Sequence, residues 1–248
     1  YANLMIALAV IGVVYGALVA WVQPDMKKLV AYSSVSHMGF VTLGLFVLNQ
    51  QGIEGAVLQM VNHGITTGAL FLCVGIIYER THSRLIADNV GLAAPMPQYA
   101  TLLVIFALSS LGLPGTNSFV GEFLVLVGTF LWSKVATAFA SLGIILAATY
   151  LLWMIQRVVF GVPSPHYLPK LRDLNQRELA TLAPLALLVF WIGLFPNPLV
   201  SRMHQSVTNT IASMSRAKVA PTAHPSAGVT APLLADSGKQ LKTQGTSR

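Results

Sequence analysis

Leu113-Pro114-Gly115-Thr116-Asn117-Ser118-Phe119-Val120-Gly121-Glu122-Phe123 is the stretch on which the fold of this chain turns. It lies inside an apolar segment, residues 99–131, long enough to cross a bilayer. Pro114 removes a backbone donor and clashes with the preceding turn, while Gly115 accepts almost any backbone angle. Non-helical backbone at membrane depth persists only where protein or a water-filled cavity satisfies it. Glu122 is an ionisable group at that depth, which marks it as a functional residue by default. It also suits the first turn of a second half-helix, capped by Asn117 or Ser118, where free N–H groups favour a negative charge. A hydroxyl caps equally well, so capping alone does not account for a carboxylate.

The composition around this stretch fixes the class. Of 248 residues, 54% are hydrophobic and only 9% are charged. Soluble domains carry about 25% charged residues, so the chain is an all-α membrane protein. Apolar spans are predicted at residues 2–22, 29–48, 53–78, 99–131, 135–159 and 179–199, with the fourth broken. Residues 216–248 are rich in Ala, Pro, Ser, Thr, Gly and Lys, cannot bury a core, and are expected to be a disordered tail. The chain begins in an apolar span without Met, which suggests a missing N-terminal portion. Gly12 and Gly16 on the first span, and Gly55, Gly64, Gly68 and Gly75 on the third, are expected to mark packing faces.

The net charge of +7 does not point to nucleic acid, because the basic residues sit in short loops between apolar runs. Loops after the first, third and fifth spans hold Lys27, Lys28, Arg80, Arg84, Arg157, Lys170, Arg172 and Arg177. The opposite loops hold Lys134, with Arg202 just beyond the sixth span. This bias places the basic loops in the cytoplasm and the C-terminus on the outer side. One cysteine, Cys73 in an apolar run, excludes an internal disulfide and reads as a buried thiol.

Three titratable groups fall at one depth. His37 is ten positions beyond Lys27, about 15 Å along a helix. His63 is ten positions into its span, and Glu122 follows the break near mid-membrane. Buried carboxyl and imidazole groups can exchange protons near neutral pH, so Glu122, His63 and His37 are candidate proton-transfer residues. Ser33, Ser34, Ser36, Thr66, Thr67, Thr116, Asn117 and Ser118 could hold bridging waters. Each histidine equally suits a simple hydrogen bond to a neighbouring helix. His37 and His63 do not form a local metal motif, and the chain has no phosphate loop and no nucleophile elbow.

Residues 25–39, Asp-Met-Lys-Lys-Leu-Val-Ala-Tyr-Ser-Ser-Val-Ser-His-Met-Gly, resemble the antiporter-like membrane subunits of respiratory complex I. Gln59-Met60-Val61-Asn62-His63-Gly64 and Tyr78-Glu79-Arg80-Thr81-His82-Ser83-Arg84 resemble the subunit M branch of that family. The break at Leu113-Pro114-Gly115 and Phe119-Val120-Gly121-Glu122-Phe123 is similar to the family's discontinuous helix. The resemblance covers residues 1–215 and implies the C-terminal half of an antiporter-like fold, in a bacterial cytoplasmic membrane. It implies proton translocation coupled to electron transfer from NADH to quinone, without redox chemistry in this chain. Flavin, iron–sulfur clusters and quinone are then expected in other subunits, and the partners are neighbouring antiporter-like subunits and the lipid bilayer. Glu122 corresponds to a terminal proton-transfer carboxylate, His63 to a central histidine feeding it, and His37 to a histidine of less defined role. Two other readings stay open: a subunit of a multisubunit cation/proton antiporter, and a non-pumping structural piece.

Overall fold

The computed structural model describes residues 1–162 and 171–219. Lys170, His166 and residues 220–248 of the expected tail lie outside the described residues. The elements are α1 (Ala2–Trp21), α2 (Met26–Phe46), α3 (Gln50–Thr81), α4 (Pro97–Ser110), α5 (Asn117–Trp132), α6 (Lys134–Val158), α7 (Gln176–Leu194) and α8 (Asn197–Val219). Helices α1, α2, α3, α6 and α7 are each long and apolar enough to cross a membrane. Helix α4 has 14 residues and α5 has 16, so they span about 21 and 24 Å, each short of a 30 Å hydrocarbon core. Together they make the fourth, discontinuous crossing. This is a multi-pass α-helical membrane protein with one broken helix.

Small residues set the closest approaches. A Cβ at Gly39 would fall 2.8 Å from the Val13 nitrogen, and one at Gly16 would fall 2.7 Å from the Ser36 nitrogen, so α1 and α2 touch backbone to backbone. Gly55 does the same for α3 against α5, 2.7 Å from the Val125 nitrogen. The packing expected at Gly12, Gly64, Gly68 and Gly75 is not made among the described residues: a Cβ at each meets nothing within 4 Å.

The basic end of the bundle is clasped by ions and caps. Asp25 caps α2 by accepting from the Lys27 and Lys28 amides at 2.7 and 3.1 Å, and Arg84 lies 3.8 Å from its other oxygen. Asn175 and Glu178 form a reciprocal capping box that starts α7 before residue 179. Arg80 donates to both Glu178 oxygens, at 3.0 and 2.7 Å, and to the Arg172 carbonyl at 2.7 Å.

At the other end, the sixth span stops at Leu194 instead of 199, because Pro196 disfavours helix at the residue before it. The chain then enters α8, an amphipathic helix that runs through 216–219, where the disordered tail was expected to have begun. Its polar composition removes the long apolar run that marks the other helices, and it packs on α3.

Candidate functional site at the helix break

The break is built by local rules. Gly112 adopts φ +77°, a left-handed angle that costs other residues free energy. Its N–H donates to the Ser109 carbonyl and the Leu113 N–H to the Leu108 carbonyl, both at 3.1 Å. That pair of bonds is a Schellman motif, and it ends α4 before Pro114 is reached. Gly115 is the second left-handed residue, at φ +94°. Thr116 then closes the turn, its hydroxyl donating back to the Leu113 carbonyl at 2.7 Å, and α5 begins at Asn117 without a side-chain cap. Gly193 of α7 makes room for this loop, since a Cβ there would lie 2.6 Å from Thr116 Cα.

Glu122 is therefore in the second turn of α5, and the expected capping role does not apply. Its side chain is buried and faces sideways into the bundle. Oε1 lies 3.3 Å from His37 Nδ1 and accepts from Gln59 Nε2 at 3.1 Å. Oε2 lies against the break, so that a Cβ on Gly112 would sit 2.5 Å from it. One carboxylate is held at once by α2, by α3 and by the end of α4.

The chain of contacts continues through both histidines. His37 Nε2 is 3.4 Å from the Ser110 hydroxyl. The His37 and His63 rings stand 5.5 Å apart, centroid to centroid, and His63 Nδ1 is 3.1 Å from the Thr67 hydroxyl. All three sequence-predicted residues thus come together, but in the order Glu122, His37, His63. His37 touches the carboxylate directly and His63 stands one ring farther away.

A second polar knot pins the break to α3. Asn62 Nδ2 donates to the Asn117 carbonyl at 2.7 Å. Asn117 Oδ1 accepts from the Ser109 hydroxyl at 2.6 Å and from the Thr66 hydroxyl at 3.2 Å. So Asn117 bridges the two half-helices instead of capping one. Gln59 Oε1 and Asn62 Oδ1 are fully buried and have no partner among the described residues. Buried acceptors of this kind ordinarily bind a water molecule.

Other predicted polar residues do other work. The Ser33 and Ser34 hydroxyls donate to the Val30 carbonyl, and Ser36 donates to the Val13 carbonyl on α1. Those hydroxyls are committed to backbone. Pro114 and Gly115 shape the break without touching the carboxylate, whereas Gly112 touches it. Gln59 is the other residue overlooked. Its signal was its spacing: Gln59, Asn62, His63 and Thr66 recur at helical intervals and line one face of α3.

The arrangement can pass a proton. A neutral imidazole accepts at one ring nitrogen and donates at the other, so His37 can take a proton at Nε2 and release one at Nδ1 to Glu122.

Residues 1–148 match the family described as NADH:quinone oxidoreductase/Mrp antiporter, transmembrane. The chain belongs to this family. Within it, the chain is 47% identical over 204 residues to NADH-quinone oxidoreductase subunit M of Rhodobacter capsulatus, an alignment covering 82% of this chain and 40% of that protein. Among solved structures of the family's architecture, it superposes on a chain of respiratory complex I from Thermus thermophilus with a TM-score of 0.79 and 34% identity. That match covers 86% of this chain and 44% of the other. The Mrp complex from Dietzia sp. gives a TM-score of 0.80 at 19% identity, covering 88% of this chain and 49% of that one, and shows the same fold. The chain spans about two fifths of the length of the curated relatives it matches.

Proposed function

We propose that this chain carries part of the proton path of an antiporter-like, subunit M type component of an NADH:quinone oxidoreductase. The observation that carries the reading is the contact of Glu122 Oε1 with His37 Nδ1 at 3.3 Å, buried beside a helix break at membrane depth. Glu122 is the relay carboxylate, His37 its immediate exchange partner, and His63 the next group along the bundle. Gly112, Pro114 and Gly115 hold the break that lets the carboxylate face the relay.

The likeness to bacterial subunit M suggests a bacterial cytoplasmic membrane, and the charge bias then sets the basic end inside and α8 with the C-terminus on the outer, periplasmic side. Redox chemistry, with its flavin, iron–sulfur clusters and quinone, belongs to other subunits of such a complex. Neighbouring antiporter-like membrane subunits are the partners. A role in a multisubunit cation/proton antiporter is supported by the family's description, which includes the Mrp antiporter, and by the Mrp fold match, but the higher identity to subunit M favours the respiratory reading.

The test is Glu122→Gln in the full-length subunit within the assembled complex, reading protons translocated and NADH oxidised. Glutamine keeps the shape and a hydrogen-bonding group but cannot carry a proton. We expect coupled translocation to fall at least tenfold with assembly intact. Unchanged translocation in an assembled complex defeats the proposal.

A further inference from the structure

Helix α3 carries a second buried carboxylate, Glu54, five residues before Gln59 and near the end of the bundle opposite the basic loops. Burying a carboxylate is costly unless it is paired, so its partners are informative. They are Gln50, whose Nε2 donates to Glu54 Oε1, and His204 of α8, whose Nδ1 lies 2.7 Å from the same oxygen. Gln50 also reaches back to α8, donating to the His204 carbonyl at 3.2 Å and accepting from the Thr208 hydroxyl at 3.3 Å. The His204 side chain is 61% exposed and that of Glu54 only 8%. One member of the pair faces water and the other faces the protein.

The choice of partner separates exchange from anchoring. At the basic end, where α7 is fixed to α3, the carboxylate of Glu178 is held by the permanently charged guanidinium of Arg80. A carboxylate meant only to hold α8 on α3 could use the same chemistry. Glu54 is met by an imidazole, the one side chain whose unperturbed charge changes between pH 5 and 8.

We propose that Glu54 and His204 form the solvent-facing end of the proton path that begins at Glu122, with Glu54 taking up the proton and His204 handing it to outside water. The proposal rests on the relay role of Glu122. Gln59, hydrogen-bonded to Glu122, is five residues from Glu54, about 7.5 Å along the helix and about 140° around it. Glu54 therefore faces α8 while Gln59 faces α5, and water carries the step between them. The unpartnered Gln59 Oε1 and Asn62 Oδ1 offer acceptors for such water on the inner side of the gap. No bond is broken except O–H and N–H: each proton leaving a carboxyl is replaced by one from the relay behind it.

The decisive variant is Glu54→Gln in the full-length subunit of the assembled complex, reconstituted into vesicles. Glutamine retains a hydrogen bond to His204 and so keeps α8 docked, but cannot be protonated. We expect coupled proton release to fall at least threefold and to lose its dependence on the pH of the α8 side. Wild-type release, with its pH response intact, would make the pair an anchor only and overturn the outlet. If Glu54→Gln prevents assembly, the decision passes to His204→Ala, which alters an exposed side chain. Its release should fall about twofold and recover when imidazole is added on the α8 side. No loss, or a loss that imidazole does not repair, overturns the outlet. Glu122→Gln distinguishes the two levels: full loss there with none at Glu54 spares the relay, whereas no loss there removes both.

Discussion

Two carboxylates of this chain are held in opposite ways. Glu178, at the basic end, takes two charge-assisted bonds from Arg80 and closes a capping box with Asn175. The guanidinium of Arg80 beside it favours the charged carboxylate, against the cost of burial. Glu122, in the membrane interior, has no permanent cation in contact among the described residues and is met by an imidazole and a primary amide. A guanidinium fixes a carboxylate in one charge state, whereas an imidazole can exchange a proton with it. On the proposed reading, the rim holds a fixed charge and the core a movable one. The difference lies in the partner, since both carboxylates are well hydrogen-bonded.

The strongest way to break that contrast is His37→Gln. Glutamine can still hydrogen-bond Glu122 but has no titratable nitrogen. In the assembled complex we expect coupled translocation to fall at least tenfold while electron entry from NADH persists. A variant that pumps at the normal rate would make His37 a packing residue. Gly112→Ala acts next, through geometry. Alanine at φ +77° costs about 1–2 kcal/mol, and its Cβ would press on Glu122 Oε2 at 2.5 Å, so the carboxylate or the break must move. We expect translocation to drop about threefold to tenfold. Gly115→Ala is its control, for φ is +94° there but nothing lies within 4 Å of the added carbon. It should lower stability by a similar backbone cost, about 1–2 kcal/mol by thermal unfolding, and leave the relay in place.

What could be seen in the sequence follows the same division. The crossings and the break were visible because apolar runs, proline and glycine act locally. The three titratable residues were visible because an ionisable group in an apolar run is rare. The order of contact was not visible, because depth along separate helices says nothing about which faces meet. Only the 3.3 Å contact with Glu122 makes His37, and not His63, the carboxylate's immediate neighbour. Gly112 was hidden behind Pro114, although a glycine two residues before a proline is an ordinary helix stop. Helix α8 and the Glu54–His204 pair were missed for a different reason: a polar amphipathic helix lacks the hydropathy by which membrane spans are recognised.

The smallest expected effect tests the rim from the other direction. Arg80→His gives Glu178 the kind of partner that Glu122 already has. The shorter imidazole forfeits the two-pronged bond and the contact with the Arg172 carbonyl, so α7 should dock less firmly on α3. Because an imidazole can keep one of the two charge-assisted bonds, the loss should be modest, about 1–3 kcal/mol. It should also become pH-dependent. A protonated imidazole attracts Glu178, so the stability it contributes is present below about pH 6 and fades as the pH rises past the histidine's own range, near 6.5. Thermal unfolding of the assembled complex between pH 5.5 and 8 measures this as a slope that the arginine protein lacks. Coupled translocation at pH 6, normalised to assembled complex, should stay within about twofold of the arginine protein. A large loss would mean that the Arg80 charge bears on the relay across the length of α3, and the separation of fixed rim from movable core would have to be abandoned.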